Sequence, residues 1–184
     1  SLPDLIGRLS GLSNFFYLSH NLLTELPESL GNLTKLAYLN ASDNRLRRLH
    51  ASIGNMSALM ELLLYRNQLV ALPDSICALK QLRELHLQQN GLSLLPPDFG
   101  QLTALRELDL ADNKLTALPT SIGELSQLRR LNLRNNAITE LPQSVGALCR
   151  LSHLDLRANP LKVLPTEIGE IPTLEKLDLR RAQV

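Results

Sequence analysis

The chain has 184 residues and is close to neutral, with 19 Lys and Arg against 18 Asp and Glu and a formal net charge of +1 at pH 7. So small a net charge supplies no field that would steer the chain onto nucleic acid or an anionic membrane, and we expect neither as a partner. Aromatic residues make up 3% of the chain and Trp is absent, so the core must be aliphatic. The sequence contains no run of about 20 apolar residues, the length that a membrane-spanning helix needs.

Asparagine recurs at a constant interval along the chain, and this interval is the separation between Asn21 and Asn44. The series is Asn21, Asn44, Asn67, Asn90, Asn113, Asn136 and Asn159, and the next step falls on Ala182. Self-similarity at a fixed period is the sequence signature of repeat architectures. Eight copies account for the length of the chain, so we expect residues 1–184 to form a single repeat domain.

The first predicted element is a segment with the sequence LPDLIGRLSGL, residues 2–12. Its counterpart, residues 26–36, begins one position later than the interval of the asparagines would place it, whereas the later copies keep that interval. One extra residue is therefore present between Leu12 and Asn21. We expect it to cause a bulge or an irregular first strand from Ser13 to Ser19.

Each repeat contains a short stretch in which apolar and polar residues alternate. In the fourth copy, Leu85 and Leu87 alternate with Glu84, His86 and Gln88. A period of two predicts a short β-strand with one buried face and one open face. No repeat could bury its Leu face alone, so the strands are expected to stack in parallel at about 4.8 Å per step around a continuous aliphatic core.

A second half-repeat returns the chain from each strand to the next. It reads LPTSIGEL at residues 118–125 and LPQSVGAL at residues 141–148. Pro removes a backbone donor and fixes φ, which favours a return loop over a long helix, and Gly is expected to permit a tight bend. The recurrent Asn, whose amide both donates and accepts, is expected to link backbone groups of neighbouring turns. His50 replaces the Pro in one copy, and Cys77 replaces the Gly in another.

The last predicted strand ends just before Val184, and no polar terminal unit follows it in the sequence. Solenoids normally need such caps for solubility. We therefore interpret the chain as a fragment or a minimal domain, and we expect self-association through its uncapped ends.

The complete repeat reads Leu-Pro-x-x-Ile-Gly-x-Leu-x-x-Leu-x-x-Leu-x-Leu-x-x-Asn-x-Leu and is nearly intact from Leu26 to Leu179. This pattern resembles the intracellular, 23-residue class of leucine-rich repeats, which occurs in Scribble-type scaffolds, Ras-suppressor proteins, plant intracellular Ras-group proteins and bacteria. The resemblance implies an α/β fold, a right-handed leucine-rich-repeat solenoid (horseshoe) of about eight repeats with a concave parallel β-sheet. For function it implies protein binding alone, because the signature residues are core residues and transfer no site.

Cysteine usage favours a reducing compartment. Two cysteines, Cys77 and Cys149, cannot form the cystine-rich caps of a secreted repeat protein, and the first twenty residues lack a basic stretch followed by an apolar one. We therefore expect a cytoplasmic location. Two N-glycosylation sequons, at Asn32 and Asn55, would matter in a secreted protein.

The sequence offers no pattern that predicts catalysis. His86 and His153 project onto the open face but stand three repeats apart, on the order of 15 Å, which is too far to share a metal. Cys77 and Cys149 have no Cys or His at ligand or catalytic spacing. No phosphate loop, dinucleotide fingerprint or nucleophile elbow is present. We predict a non-enzyme that uses no cofactor.

An acidic column on the open face is the one candidate for a cation site. It contains Asp109, Asp155 and Asp178, with Asn132 between the first two. Interleaved Arg residues are a better match for these carboxylates than a metal ion, so no metal site is predicted.

Because the repeats superpose at this constant interval, the side chains of the open face fall into three columns that run across the strands. The first column is Phe15, Tyr38, Glu61, Glu84, Glu107, Arg130, His153 and Lys176. The middle column is Tyr17, Asn40, Leu63, His86, Asp109, Asn132, Asp155 and Asp178. The third column is Ser19, Ser42, Tyr65, Gln88, Ala111, Arg134, Arg157 and Arg180. The face is thus polarised, with aromatic residues at its N-terminal end and arginines at its C-terminal end.

The aromatic end of this face is the predicted binding site, because exposed rings have no solvation reason to cluster and because Tyr and Arg are enriched among interface hot spots. The predicted partner-binding residues are Phe15, Tyr17, Tyr38, Met60, Leu63, Tyr65, His86, Arg130 and Arg134. The leading hypothesis is a non-catalytic module that binds a protein or peptide on its concave face. The alternative is an extracellular domain that recognises a peptide or glycan, and glycan occupancy of Asn32 and Asn55 would distinguish the two.

Overall fold

The computed structural model describes residues 2–183 as a solenoid of stacked strand-and-return units. Each strand has three residues, and the strands are β1 Phe15–Tyr17, β2 Tyr38–Asn40, β3 Glu61–Leu63, β4 Glu84–His86, β5 Glu107–Asp109, β6 Arg130–Asn132, β7 His153–Asp155 and β8 Lys176–Asp178. They form one sheet in the order β1 to β8, and every neighbouring pair is parallel. The predicted repeat solenoid with a parallel sheet of eight strands is confirmed.

The return segments contain short 3₁₀ helices rather than α-helices. These helices are Asp4–Arg8, Glu28–Asn32, Ala51–Asn55, Asp74–Ala78, Phe99–Gln101, Thr120–Glu124, Gln143–Ala147 and Thr166–Glu170. Most of them follow a Pro with extended φ and ψ, such as Pro119 at −66° and 149°. The residue before the helix is thereby fixed in the extended region, and only one tight turn fits before the next strand.

The irregularity expected over Ser13 to Ser19 is confined to Ser13 and Asn14, and the strand Phe15–Tyr17 itself is regular. Phe15 pairs with Tyr38 and Tyr17 with Asn40, the same offset as in every later pair. The extra residue is accommodated just before β1. There, the amides of Ala37 and Tyr38 donate to two successive carbonyls, those of Ser13 and Asn14, whereas in the next repeat two amides share one carbonyl.

The core is aliphatic, as the composition predicts. The central residues of the inner strands β2 to β7 are buried, and Leu39, Leu62 and Leu85 are completely so. Burial weakens at the C-terminal end, where the equivalent Leu177 is 37% exposed against 1% for Leu154. The interior repeats therefore shield their neighbours, and the terminal strand has no neighbour on one side.

The asparagine ladder that the sequence predicts is present. Nδ2 of Asn44 donates to the carbonyl of Leu18 in the preceding repeat over 2.8 Å, and Oδ1 accepts from the amide of Leu23 over 3.0 Å. Equivalent bonds recur at the later asparagines. At the end of the series, the backbone carbonyl of Ala182 replaces the missing side chain and accepts from the amide of Leu161 over 2.9 Å.

The residue directly before each ladder position adopts a left-handed backbone conformation. These residues are His20, Asp43, Arg66, Gln89, Asp112, Asn135, Ala158 and Arg181, with φ between 52° and 60°. Glycine is the usual occupant of this region, and none of these positions has it. At Asp43, for example, Nδ2 of the following Asn44 donates back across the turn to the carbonyls of Ala41 and Ser42.

Most glycines of the return segments are required by close packing against the next repeat and not by the tight bend that we expected. None of the described glycines has a positive φ. A Cβ atom on Gly123 would lie 2.3 Å from the carbonyl oxygen of Ser144 in the next repeat. Cys77, which replaces one of these glycines, is buried, and the return segment after it contains the shorter helix Phe99–Gln101.

Candidate functional site

Three aromatic rings meet on the open face at the N-terminal end of the sheet. The ring centroids of Phe15 and Tyr17 are 6.0 Å apart, those of Phe15 and Tyr38 are 5.5 Å apart, and those of Tyr17 and Tyr38 are 5.3 Å apart. Phe15 is 58% exposed and Tyr17 is 63% exposed. These three residues, called the aromatic cluster below, form an apolar surface that no other part of residues 2–183 covers.

The other predicted binding residues extend away from this cluster across the sheet. Leu63 is the last residue of the next strand, Tyr65 lies two residues beyond it, and Met60 directly precedes the strand. All three are half-buried, and Tyr65 forms no ring pair with the described aromatic residues. His86 lies one strand further, where its Nε2 is 3.4 Å from a carboxylate oxygen of Glu84.

Arg130 and Arg134 lie at a distance from the aromatic cluster. Arg130 is on β6, four strands from Tyr38, which corresponds to roughly 20 Å at the usual strand spacing. Its guanidinium is 3.6 Å from Glu107, and that of Arg134 is 3.1 Å from Asp112. One small ligand could not contact both ends, but an extended segment could.

Carboxylates border the aromatic cluster on the side of the middle repeats. Tyr38 is paired in register with Glu61, and Glu61 with Glu84. Burial and the neighbouring charge of Glu84 raise the pKa of Glu61. Glu61 makes no ion pair with any residue that the structure describes, whereas Glu84 faces His86 and Glu107 faces Arg130.

The C-terminal end of the face is a network of paired charges. Arg180 lies 2.7 Å from Asp178, and Arg157 contacts both Asp155 and Asp178. The hydrogen bond from Arg180 and the charges of both arginines lower the pKa of Asp178 to about 2, against the opposing effect of burial. These arginines are therefore largely occupied by partners within the chain.

The middle column has a backbone role that sequence reasoning missed. The side chain of Asp109 accepts from the amide of Ala111 over 3.0 Å, and that of Asp155 accepts from the amide of Arg157 over 3.1 Å. Such Asx turns close the strand end. The sequence signal for this role is an Asp or Asn at the end of each predicted strand, two residues before the amide that its side chain accepts from. This role explains the acidic column without a cation.

The His, Cys, Asp and Glu side chains of residues 2–183 are dispersed over the solenoid. No group of three or more His, Cys, Asp or Glu residues in this part of the chain is placed to hold a metal ion. Cys77 and Cys149 are free thiols, and burial together with the nearby carboxylate of Asp98 raises the pKa of Cys77. A raised thiol pKa reduces the thiolate fraction and so disfavours a nucleophilic role.

Of the helices in the described residues, none combines the length and apolar character required to cross a membrane.

Comparison with known proteins gives matches over both halves of the chain. The family model described as "Leucine-rich repeat region" matches residues 90–184, and the model described as "Leucine Rich Repeat" matches residues 14–33. No curated protein matches the chain.

Solved structures of similar shape cover nearly the whole chain. An LRR protein of Leptospira interrogans is 32% identical with a TM-score of 0.89, over 98% of this chain and 52% of its own. The LRR ectodomain of the Arabidopsis thaliana receptor kinase GASSHO1/SCHENGEN3, in complex with CASPARIAN STRIP INTEGRITY FACTOR 2, is 30% identical with a TM-score of 0.78. The match covers 96% of this chain and 25% of the ectodomain structure. The plant peptide hormone receptor RGFR1 in complex with RGF2 is 27% identical with a TM-score of 0.74. The match covers 96% of this chain and 33% of the receptor chain. The chain thus spans between a quarter and about half the length of these relatives.

Proposed function

Because the chain belongs to the leucine-rich repeat family, whose fold generally serves protein–protein interaction, we propose that it is a non-catalytic module that binds a protein or peptide on the open, concave face of its sheet. The observation that carries this proposal is the exposed aromatic cluster of Phe15, Tyr17 and Tyr38. Soluble monomers rarely expose contiguous apolar surface without a function for it.

The aromatic cluster has the properties of a binding anchor. Tyr and Phe side chains supply large contact areas at a low cost in conformational entropy. The rings contact one another, so part of that entropy is already lost before a partner arrives. Met60, Leu63 and Tyr65 on the neighbouring repeat would extend the apolar contact, and His86 would form its polar edge.

The arginines have a secondary role in this proposal. Arg130 is 64% exposed at its side chain and its partner Glu107 is partly exposed, so the pair is worth little to stability. Arg130 and Arg134 would orient an acidic part of the partner, with effects mainly on the association rate and its salt dependence. We place neither nucleic acid nor membrane among the partners, since the net charge is only +1.

We further infer that the repeats are of the intracellular 23-residue class and that the protein is cytoplasmic. The constant interval of the ladder asparagines and the presence of only two cysteines support this assignment. The alternative is an extracellular domain that recognises a peptide or glycan, and it is favoured by the similarity to the receptors GASSHO1/SCHENGEN3 and RGFR1. The sequon residues Asn32 and Asn55 are both exposed, so glycans on them in the native host would identify the extracellular case.

The experiment that tests the proposal is a quantitative pull-down with three forms of the chain. The first is wild type, and the second carries Tyr17→Ser, Tyr38→Ser and Tyr65→Ser. The control carries Leu22→Ser, Val70→Ser and Leu94→Ser, which remove exposed apolar side chains outside the three columns.

We expect the tyrosine variant to lose its captured partners while its melting temperature barely changes, and the control to retain them. Truncation of a true anchor should cost at least about 2 kcal/mol of binding. A large loss of stability in the tyrosine variant, with partner binding retained in the folded fraction, would show that the rings are structural.

A further inference from the structure

A half-buried carboxylate without an ion pair borders the aromatic cluster. Among residues 2–183, Glu61 has no cationic side chain within ion-pair distance, and its neighbours in the column are Tyr38 on one side and Glu84 on the other. Arg83 and His86 act on its carboxylate only through longer-range electrostatic attraction. The negative charge at this point is thus not compensated within the chain.

The neighbouring repeats differ from Glu61 in this respect. In the same column, Glu84 has His86 at 3.4 Å and Glu107 has Arg130 at 3.6 Å. Beyond them the column becomes cationic, with Arg130, His153 and Lys176. In this column, the carboxylate without an ion pair therefore lies beside the aromatic cluster.

We propose that the aromatic end of the open face recognises a partner segment that carries a cationic side chain, Arg or Lys, seated between Tyr38 and Glu61 beside an apolar residue held by the aromatic cluster. This inference rests on the proposed function and specifies the chemistry of the partner. A guanidinium or ammonium group at this point would compensate the charge of Glu61 and reduce its repulsion with Glu84. The face of the Tyr38 ring would attract the same cation.

The spacing of the column defines the spacing within the partner. Phe15, Tyr38 and Glu61 follow one another on successive parallel strands, about 4.8 Å apart. In an extended peptide, side chains on one face recur every second residue, at about 6.6 Å. An apolar residue over Phe15 and Tyr17 and a cation seated between Tyr38 and Glu61 lie about one and a half strand steps apart, roughly 7 Å, which two positions of an extended peptide can span in either direction.

A random octapeptide library displayed on phage provides a probe that requires no known partner. The full chain is immobilised and the selection is repeated with Glu61→Gln, Glu61→Lys and the aromatic variant with Tyr17, Tyr38 and Tyr65 changed to Ser. Glu140→Gln is the matched control, because it removes an exposed carboxylate outside the three columns. Thermal melts verify that each variant is folded.

We expect wild type and Glu140→Gln to enrich peptides in which Arg or Lys stands two positions from an apolar residue. For these peptides, Glu61→Gln should weaken binding about three- to tenfold, the range expected for one partly exposed ion pair with a cation–π contribution. Glu61→Lys should shift the selection toward Asp and Glu. Replacement of the peptide's Arg by citrulline should weaken binding to wild type by a similar factor, whatever the folding of the variants.

Two results would overturn the inference, and they differ in what else they affect. Peptides that require the tyrosines but show no enrichment of Arg or Lys, or that bind Glu61→Gln and wild type equally, would refute the cationic partner and leave the binding function in place. A selection in which no captured peptide depends on the tyrosines would refute both.

Discussion

Nδ2 of Asn113 lies 3.0 Å from the carbonyl oxygen of Leu87, one repeat earlier in the solenoid. Oδ1 of the same side chain accepts from the amide of Leu92 over 3.0 Å. One side chain thereby satisfies a buried acceptor and a buried donor that belong to another turn. Each interior repeat is joined to its neighbour by bonds of this kind in addition to the sheet.

Asn113→Ala is expected to lower the free energy of unfolding by about 1–3 kcal/mol, because it leaves these buried backbone groups unpaired. Asn21→Ala is the matched control. Asn21 is exposed and donates only to the nearby carbonyls of Leu18 and Ser19, so its loss should cost much less. Urea denaturation of both variants measures the difference, and equal costs would show that the bridging bonds contribute little.

Gly123→Ala should be strongly destabilising, since the new Cβ atom would lie 2.3 Å from the carbonyl oxygen of Ser144. Overpacking of this kind typically costs about 1–3 kcal/mol. At Gly169 a Cβ atom would meet nothing within 4 Å, so Gly169→Ala should be close to neutral. Thermal or urea unfolding distinguishes the two. If both variants lose stability equally, backbone conformation and not repeat spacing is the reason for glycine.

Asp178→Asn should change how stability depends on pH. The folded-state pKa of Asp178, about 2, lies below the ordinary value of 3.8, so its carboxylate stabilises the fold above about pH 4 and this contribution is lost as the pH falls toward 2. Melting temperatures between pH 2 and pH 7 should therefore converge for wild type and Asp178→Asn at the acid end. Glu170→Gln, which removes an exposed carboxylate from the same repeat, is the matched control.

Glu61→Gln is expected to change the pH dependence of stability in the opposite direction to Asp178→Asn. Burial and the charge of Glu84 raise the pKa of Glu61, so the fold favours its protonated form. The stabilisation by the protonated carboxyl is complete below the ordinary pKa of 4.5, and it is lost as the pH rises through the pKa of the folded state. Glu61→Gln should therefore raise the melting temperature at pH 7 and give no gain at about pH 4. A variant less stable than wild type at pH 7 would indicate a structural role for the carboxylate.

The isolated 184-residue chain is predicted to self-associate through its ends. Leu177 at one end and Leu5 at the other are 37% and 60% exposed, and β8 has a free edge. A polar capping turn added after Val184 should raise the proportion of monomer in sedimentation velocity. A clean monomer at high concentration without the added turn would contradict this prediction.

The regular features of the fold could be predicted because one constant interval sets them. The columns of the open face, the buried leucines and the asparagine ladder all follow from superposing the copies. The reason for glycine at positions such as Gly123 could not be predicted, because the close contact is with Ser144 and exists only after the repeats stack. The left-handed residues were missed because side chains such as those of Arg66 and Ala158 carry no sign of that conformation.

The candidate site was predicted in outline and not in detail. The sequence placed the aromatic residues at one end of the face, but Tyr65 does not join the ring contacts of Phe15, Tyr17 and Tyr38. It also placed arginines at the other end without showing that Arg157 and Arg180 are paired with Asp155 and Asp178. Side-chain rotamers decide such contacts, and a repeat period does not specify them.

Because all seven strand pairs have the same offset, distances across the open face are multiples of the strand spacing. The distance between Glu61 and Arg130 is a whole number of strand steps, three in this chain. Deleting one complete repeat between them would shorten that distance by about 4.8 Å without disturbing the register of the other strands. The number of repeats therefore sets the length of partner that can contact both ends of the face, independently of the residues that make the contacts.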